Sequence, residues 1–187
     1  MNDAQISRVY ETERLVLKTL APSDARMVLD YYLRNRAFLQ EWEPAHDDAF
    51  YTLSAQEALL GADWKAMAER NALRLWIFQK GDEGRVIGTI GFGNIVWGAF
   101  LSCFLGYKLD GAKINRGYMS EALRKAIEVA FGELGLHRLE ANILPRNTRS
   151  LRVTEKLGFR SEGLARKYLR INGVWEDHIH MVLLNEA

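Results

Sequence analysis

What this chain of 187 residues lacks already removes several classes of protein. A single cysteine, Cys103, excludes an intrachain disulfide and suits a reducing compartment. Only three prolines are present and they do not cluster, so no linker or domain boundary announces itself. Twenty-five Lys and Arg stand against 24 Asp and Glu, leaving a net charge of +1. With so little excess of either sign, neither nucleic acid nor an anionic membrane surface is an expected partner, and any electrostatic site must be local. Long hydrophobic runs are missing too. The longest apolar-rich stretch, around Phe100 to Tyr107, falls far short of the ~20 residues of a membrane span, and MNDAQISRVYETERL has no apolar core of the signal-peptide type. Repeats and low-complexity tracts are absent. The expectation is one soluble, cytoplasmic domain over residues 1–187, able to bury a core with its 48% hydrophobic content.

What is present reads as an alternation of strands and helices. RLVLKTL alternates as a strand, and Pro22-Ser23-Asp24 opens a helix to about Leu39. Ser54 with Glu57 predicts a capping box for a second helix reaching about Arg70. Then LRLWIFQK, a GDEG turn, RVIGTIGFGNI, a VWGA turn and FLSCFLGYKL form an expected antiparallel meander. Met119, Ala122, Leu123, Ala126, Ile127, Ala130, Phe131 and Leu134 recur at steps of three and four and predict one apolar helix face. HRLEANIL follows as a strand. NTRSLRVTEKLGF reads as a helix capped by Asn147 and stopped at Gly158, and the tail folds as a hairpin turning at Asn172-Gly173. The order is βααβββαβαββ.

One segment, KINRGYMSEAL, sets two cations and a glycine in front of the apolar helix. The first amides of a helix lack intrahelical partners and its dipole is positive there, so such a start attracts anions. Gly117 permits close backbone approach, Lys113 and Arg116 add charge, and Glu121 is placed to pair with Lys125 one turn on. A phosphate-bearing cofactor is one reading; a plain loop before a solvated face is the other.

ETERLVLKTL, FLQEWEP, IGTIGFGNI, CFLGYKLD, NRGYMSEAL, HRLEANILPRNTRSLRVTEKLGF and EGLARKYLRINGVWEDH together make the chain from Arg14 onward resemble the GNAT superfamily of acetyl-CoA-dependent N-acetyltransferases. Within it they are most similar to the RimJ/RimL-type group of ribosomal-protein N-terminal acetyltransferases, the alanine-directed branch in particular. The resemblance implies an α+β (mixed α/β) domain whose central twisted, mostly antiparallel sheet has about seven strands and splays between the fourth and fifth. It implies acetyl-CoA as co-substrate. The loop and helix start, with Lys113, Asn115, Arg116, Gly117, Tyr118, Met119 and Ser120, would hold the pyrophosphate. The sequence departs from the family's loop pattern at Ile114, at Asn115, where this group often has Gly, and at Met119, so the contact made by a Gln or Arg side chain at the first of these positions is lost. The backbone of Phe104, Leu105, Gly106, Tyr107 and Lys108 would run along pantetheine, with an amide near Phe104 or Leu105 receiving the thioester oxygen. Asn147 would contact pantetheine and Ser150 the departing sulfur, unless the first is only a helix cap and the second only a first-turn serine.

The general base is open at this level. Relatives of this kind carry a carboxylate where Asn142 stands, on the same strand face as Glu140, and an amide cannot accept the proton. Asn142 is therefore expected to hold the amine or a water, while Glu43 or Glu41 could supply a carboxylate. Trp42, Glu41, Glu43 and Trp175 are the expected acceptor contacts, with packing as the alternative for the tryptophans. Cys103 reads as a buried structural thiol, and His178 with His180 share a strand face without a third ligand, so no metal is expected. The expected acceptor is a protein or peptide N-terminus, a ribosomal protein among the candidates, and the chain a monomer or homodimer. A small amine such as a polyamine, amino sugar or amino acid, and a non-catalytic CoA sensor, are the alternatives.

Overall fold

Alternating side chains put two apolar faces on the central strands, and each face acquires its own helical cover. The computed structural model describes residues 7–186; residues 1–6 and 187, the ends of the expected domain, lie outside them. Its strands are β1 (Val9–Glu11), β2 (Leu15–Lys18), β3 (Leu73–Gln79), β4 (Asp82–Val96), β5 (Ser102–Leu109), β6 (Arg138–Ile143), β7 (Arg160–Ile171) and β8 (Val174–Leu184). The helices are α1 (Ala25–Leu39), α2 (Leu53–Ala68), α3 (Tyr118–Glu128) and α4 (Thr148–Lys156). One eight-stranded sheet has the order β1-β2-β3-β4-β5-β6-β8-β7. On β3, Leu73, Leu75 and Ile77 join the core that contains Leu123 and Ala126 of α3, whereas Trp76 and Phe78 pack with Tyr31 and Tyr32 of α1. Burying large side chains such as these contributes ~1.5–3 kcal/mol each, which keeps both layers in place.

Every strand pair is antiparallel except β5 with β6. That parallel pair is brief. It joins Ser102 to Arg138, Cys103 to Leu139 and Phe104 to Glu140, after which the strands part, while β5 stays paired to β4 as far as Leu109. From Leu105 onward one edge of β5 has no strand beside it, and the splay sits where the resemblance implied.

The sheet has eight strands rather than seven because Val9–Glu11 adds an edge to β2, in a run too short for alternation to reveal. The second helix begins one residue earlier than its expected cap. Thr52 Oγ1 accepts the Ala55 amide at 3.3 Å, so Thr52, not a Ser54–Glu57 box, is the N-cap. Glu121 does not pair with Lys125. It accepts from Thr12 Oγ1 at 2.6 Å, from the Arg14 amide at 2.8 Å and from Arg14 Nε at 2.7 Å, fastening α3 to the β1–β2 turn, and Lys125 pairs with Glu128 instead. A carboxylate in the first turn of a helix suits the dipole, and three donors satisfy it better than one lysine. The apolar face of α3 continues through a π turn, Val129–Glu133, to a left-handed Gly135.

Candidate active site

Beside the free edge of β5, α3 and α4 frame a cleft of about 420 Å³. Its floor starts at Gly117, the N-cap of α3, whose φ of 78° lies in the left-handed region. A side chain there would be strained, and its Cβ would meet an Arg14 guanidinium nitrogen at 3.4 Å. No side chain caps this end of α3, so its first amides face the cleft uncompensated by the protein. Tyr107, Lys108, Asn115, Tyr118, Met119, Ser120, Asn147 and Ser150 line the same space. Lys113 and Arg116 are placed otherwise. Lys113 donates to Gln79 Oε1 at 2.7 Å, and exposed Arg116 offers its carbonyl to Arg14 at 3.1 Å.

Asn147 caps α4 through the Ser150 amide at 3.1 Å. Its Oδ1 therefore has a structural duty, and only its amide group remains for a ligand. Ser150 reaches further than a first-turn serine needs to. Its Oγ lies 2.5 Å from the Tyr107 hydroxyl, across the cleft on β5. Burial pushes that phenol up to about 12, against a smaller lowering by Ser150, so Tyr107 keeps its proton at neutral pH.

On the opposite face of β5 lies a second cleft of about 370 Å³, walled by Leu39, Trp42 and Phe104 and bordered by Leu73 and Phe92, which belong to the α3-side core. Gly91, Gly93 and Gly106 form part of its floor. A Cβ at Gly93 or Gly106 would meet no atom within 4 Å, so these two glycines leave volume open. The two clefts share Leu39, Trp42, Tyr107 and Lys108. Glu43 lines the second cleft but is joined to Lys108 by an ion pair, with both side chains mostly buried. Burial would lower the Lys108 ammonium, yet the Tyr32 hydroxyl and Glu43 carboxylate outweigh it and raise it above the ordinary lysine value. Asp63 is likewise bound to Arg74 at 2.8 Å. Glu41 is exposed and meets Arg146 only through its carbonyl, at 3.4 Å. Trp175 is 58% exposed on the hairpin, while the hairpin's Asn172 is hydrogen-bonded to Gln40 and Ala45 at 2.8 and 2.9 Å. That contact ties the β7–β8 turn to the rim of the second cleft.

Residues 14–160 match the family model described as an acetyltransferase (GNAT) domain. This chain is a GNAT acetyltransferase. It is 39% identical over 171 residues to the probable N-acetyltransferase YjcK of Bacillus subtilis, covering 91% of this chain and 94% of that one. To the [ribosomal protein uS5]-alanine N-acetyltransferase of Escherichia coli it is 38% identical over 168 residues, covering 90% and 86%. The crystal structure of the ribosomal-protein-S5-alanine acetyltransferase from Vibrio fischeri superposes with a TM-score of 0.91 at 35% identity, covering 96% of this chain and 97% of that one. As in the family, acetyl-CoA is the co-substrate and an amine the acceptor.

Several residues of this acetyltransferase's first cleft escaped the motif reading. Arg149, Arg152 and Lys156 of α4 all line it, and the Arg149 guanidinium lies 5.8 Å from the Trp42 ring centre and 5.9 Å from that of Phe38. Their steps of three and four along TRSLRVTEK are a readable signal, since such spacing sets three cations on one helix face. Cys103 belongs to the core, and burial pushes its thiol up to about 12, which suits a structural role. Among the described residues no group of three or more His, Cys, Asp or Glu is arranged to hold a metal ion, and no helix is long and apolar enough to cross a membrane. Glu140 and Asn142 do share the outward face of β6, where Asn142 Nδ2 donates to the Tyr168 hydroxyl at 3.1 Å.

Proposed function

We propose that this enzyme acetylates the N-terminal α-amino group of a protein by direct attack on acetyl-CoA in a ternary complex. The observation that carries the reading is the pair of clefts meeting across β5 through Trp42, Tyr107 and Lys108, one suited to the cofactor and the other to the acceptor. The first amides of α3 and the α4 cations Arg149, Arg152 and Lys156 bind the phosphates. The free β5 edge pairs with pantetheine, and Asn147 donates to it. An amide at the fork, by Phe104 or Leu105, steadies the oxyanion as the amine adds. The sulfur then leaves toward Ser150, whose hydroxyl is oriented by Tyr107.

The second cleft's charge and shape support this acceptor. Its two carboxylates, Glu43 and Asp63, are already paired with Lys108 and Arg74, so it offers a polycation no free anion. Apolar walls over an open glycine floor suit a small first side chain, such as alanine. Chemistry agrees. An α-amine has a reference pKa of ~7.7–8.0 and is roughly a tenth neutral at pH 7, whereas a lysine at ~10.4 is almost wholly protonated. The uS5-directed enzymes to which the chain is similar support a ribosomal protein as partner, with the cytoplasm as its place.

Peptides beginning Ala, Ser, Thr or Met, each with an internal lysine, are the test, run beside spermidine and amino sugars with the acetyl group located by fragmentation mass spectrometry. Acetyl on the α-amine of the Ala peptide is expected. Acetyl found only on lysine or on the small amines rejects the reading, and tight acetyl-CoA binding without turnover would return the chain to a sensor.

A further inference from the structure

Two buried acceptors stand unpartnered beside the fork of the sheet. Asn142 on β6 and His180 on β8 are directly opposed, and Asn142 Oδ1 and His180 Nε2 each have no hydrogen-bond partner among the described residues. A buried polar atom left alone is costly, so two in adjacent positions call for a shared ligand. The rest of the cluster is satisfied. His180 Nδ1 lies 3.1 Å from Glu140 Oε1, and Arg138 holds Glu140 Oε2 at 2.9 Å and Glu162 at 2.7 Å. Tyr168 closes the cluster, with its ring centre 5.0 Å from that of His180 and its hydroxyl taking the Asn142 Nδ2 proton.

Position ties this cluster to the reaction. Phe104 and Glu140 form the last rung before β5 and β6 separate, and the next residues on the same face are Gly106 and Asn142. Phe104 and Gly106 line the second cleft, so the orphaned pair lies just beyond its floor, on the face from which the amine must come. A carboxylate beside Nδ1 favours a proton on that nitrogen and leaves Nε2 as an acceptor. Two acceptors and no donor fit a group with two hydrogens to give: a primary amine, or one water relaying to it.

We propose that His180 is the proton acceptor of the acetyl transfer, with Glu140 as its positioning residue and Asn142 as a second acceptor that orients the amine or relay water. This rests on the acetyl-transfer reading but not on which amine is used. As the nitrogen lone pair forms the C–N bond, the carbonyl π pair moves to oxygen and one N–H proton passes to Nε2, directly or through the water. Collapse restores C=O and breaks C–S; the thiolate leaves hydrogen-bonded to Ser150 and takes one proton from solvent, while the imidazolium, balanced by Glu140, returns one to solvent. Glu43 is bound to Lys108, Glu140 is held by Arg138 and Asn142 cannot take a proton, which leaves the imidazole as the base at the fork.

His180→Ala should lower kcat roughly 10- to 100-fold while acetyl-CoA affinity, read by calorimetry, stays at the wild-type value, and added imidazole should restore part of the rate. Glu140→Gln should lower kcat by a smaller factor with little change in KM. In the ¹⁵N-labelled wild-type enzyme the neutral His180 ring should carry its proton on Nδ1. Full kcat in a folded His180→Ala enzyme overturns the proposal, as does a ring protonated on Nε2. If His180→Ala does not fold, His180→Gln keeps the volume, and the wild-type ring proton decides without any variant. Wild-type enzyme inactive on every peptide would reject the N-terminal acceptor, while the ring proton still tests the base.

Discussion

The two flanks of β5, proposed to hold cofactor and acceptor, would do so by different means. On the α3–α4 side the contacts are largely main-chain: a left-handed Gly117, uncapped helix amides and a strand edge released by the splay. On the α1–α2 side they are side chains from distant segments: Trp42 and Glu43 after α1, Asp63 on α2, Arg74 on β3 and Lys108 on β5. A ligand that never changes can be met by backbone, which tolerates substitution around it. A variable acceptor calls for a surface that side chains can retune, and its charges must then neutralise one another when no ligand is present. Each flank should accordingly fail in its own way.

The largest effect is expected on the acceptor flank. Lys108→Met strands the mostly buried Glu43 carboxylate, and losing one partner of such a pair costs about 3 kcal/mol. For a domain of this size that lowers Tm by roughly 6–12 °C. The double variant Lys108→Met, Glu43→Leu should recover most of the loss, because an apolar pair replaces an ion pair with little penalty. Equal melting temperatures for wild type and Lys108→Met, by calorimetry, would mean that the pair is solvated and the flank is not held by charge.

On the cofactor flank the corresponding blow is to backbone. Gly117→Glu puts a side chain and a negative charge at a left-handed position where the phosphates are proposed to bind, and should weaken CoA binding at least tenfold, ~1.4 kcal/mol. Isothermal titration on the folded variant measures it. Unchanged affinity would remove the helix start from the site and break the contrast.

That contrast also explains what the sequence could convey. The cofactor flank is written in contiguous runs, KINRGYMSEAL and NTRSLRVTEK, because a glycine turn and a helix cap are local devices with local signatures. The splay was legible only through the resemblance, since no residue pattern marks where two parallel strands stop pairing. Glu43 was singled out as a carboxylate near the acceptor, yet its partner lies 65 positions away, and nothing local shows that it is already bound. The same holds for His180, whose meaning depends on Glu140 across two strands. The three-residue β1 lay below the length at which alternation can be seen. Helix ends were misread by a residue or two, as at Thr52, where several hydroxyls compete to cap one terminus.

A finer probe asks how the flanks communicate. Tyr107 belongs to both clefts and its hydroxyl meets Ser150 Oγ. Tyr107→Phe removes one neutral hydrogen bond, so kcat should fall about 2- to 10-fold while acetyl-CoA affinity holds. Ser150→Ala, which deletes the group proposed to face sulfur, should cost roughly 10- to 100-fold in kcat. Equal losses in the two variants would make Tyr107 as direct a participant as Ser150.

The smallest effect is one of pH. Asp110 follows the last residue of β5 and begins the loop to α3, accepting from Arg34 Nε and the Ala112 amide, both at 2.9 Å, so it joins that loop to α1 of the other flank. Burial by itself would push its carboxyl up, but the Ala112 amide and Arg34 outweigh that and hold it below the ordinary carboxylate value. With the folded value the lower one, the unfolded chain binds the proton first as pH falls. The stabilisation is therefore complete above ~pH 4, near the unfolded value, and is lost as pH drops through the folded one. Asp110→Asn lacks this carboxylate at every pH. Its Tm should lie below that of the wild type at pH 7, with the gap constant down to about pH 5 and closing toward pH 3. A gap that widens on acidification would show that the loop is tied to α1 by something other than the ionised Asp110.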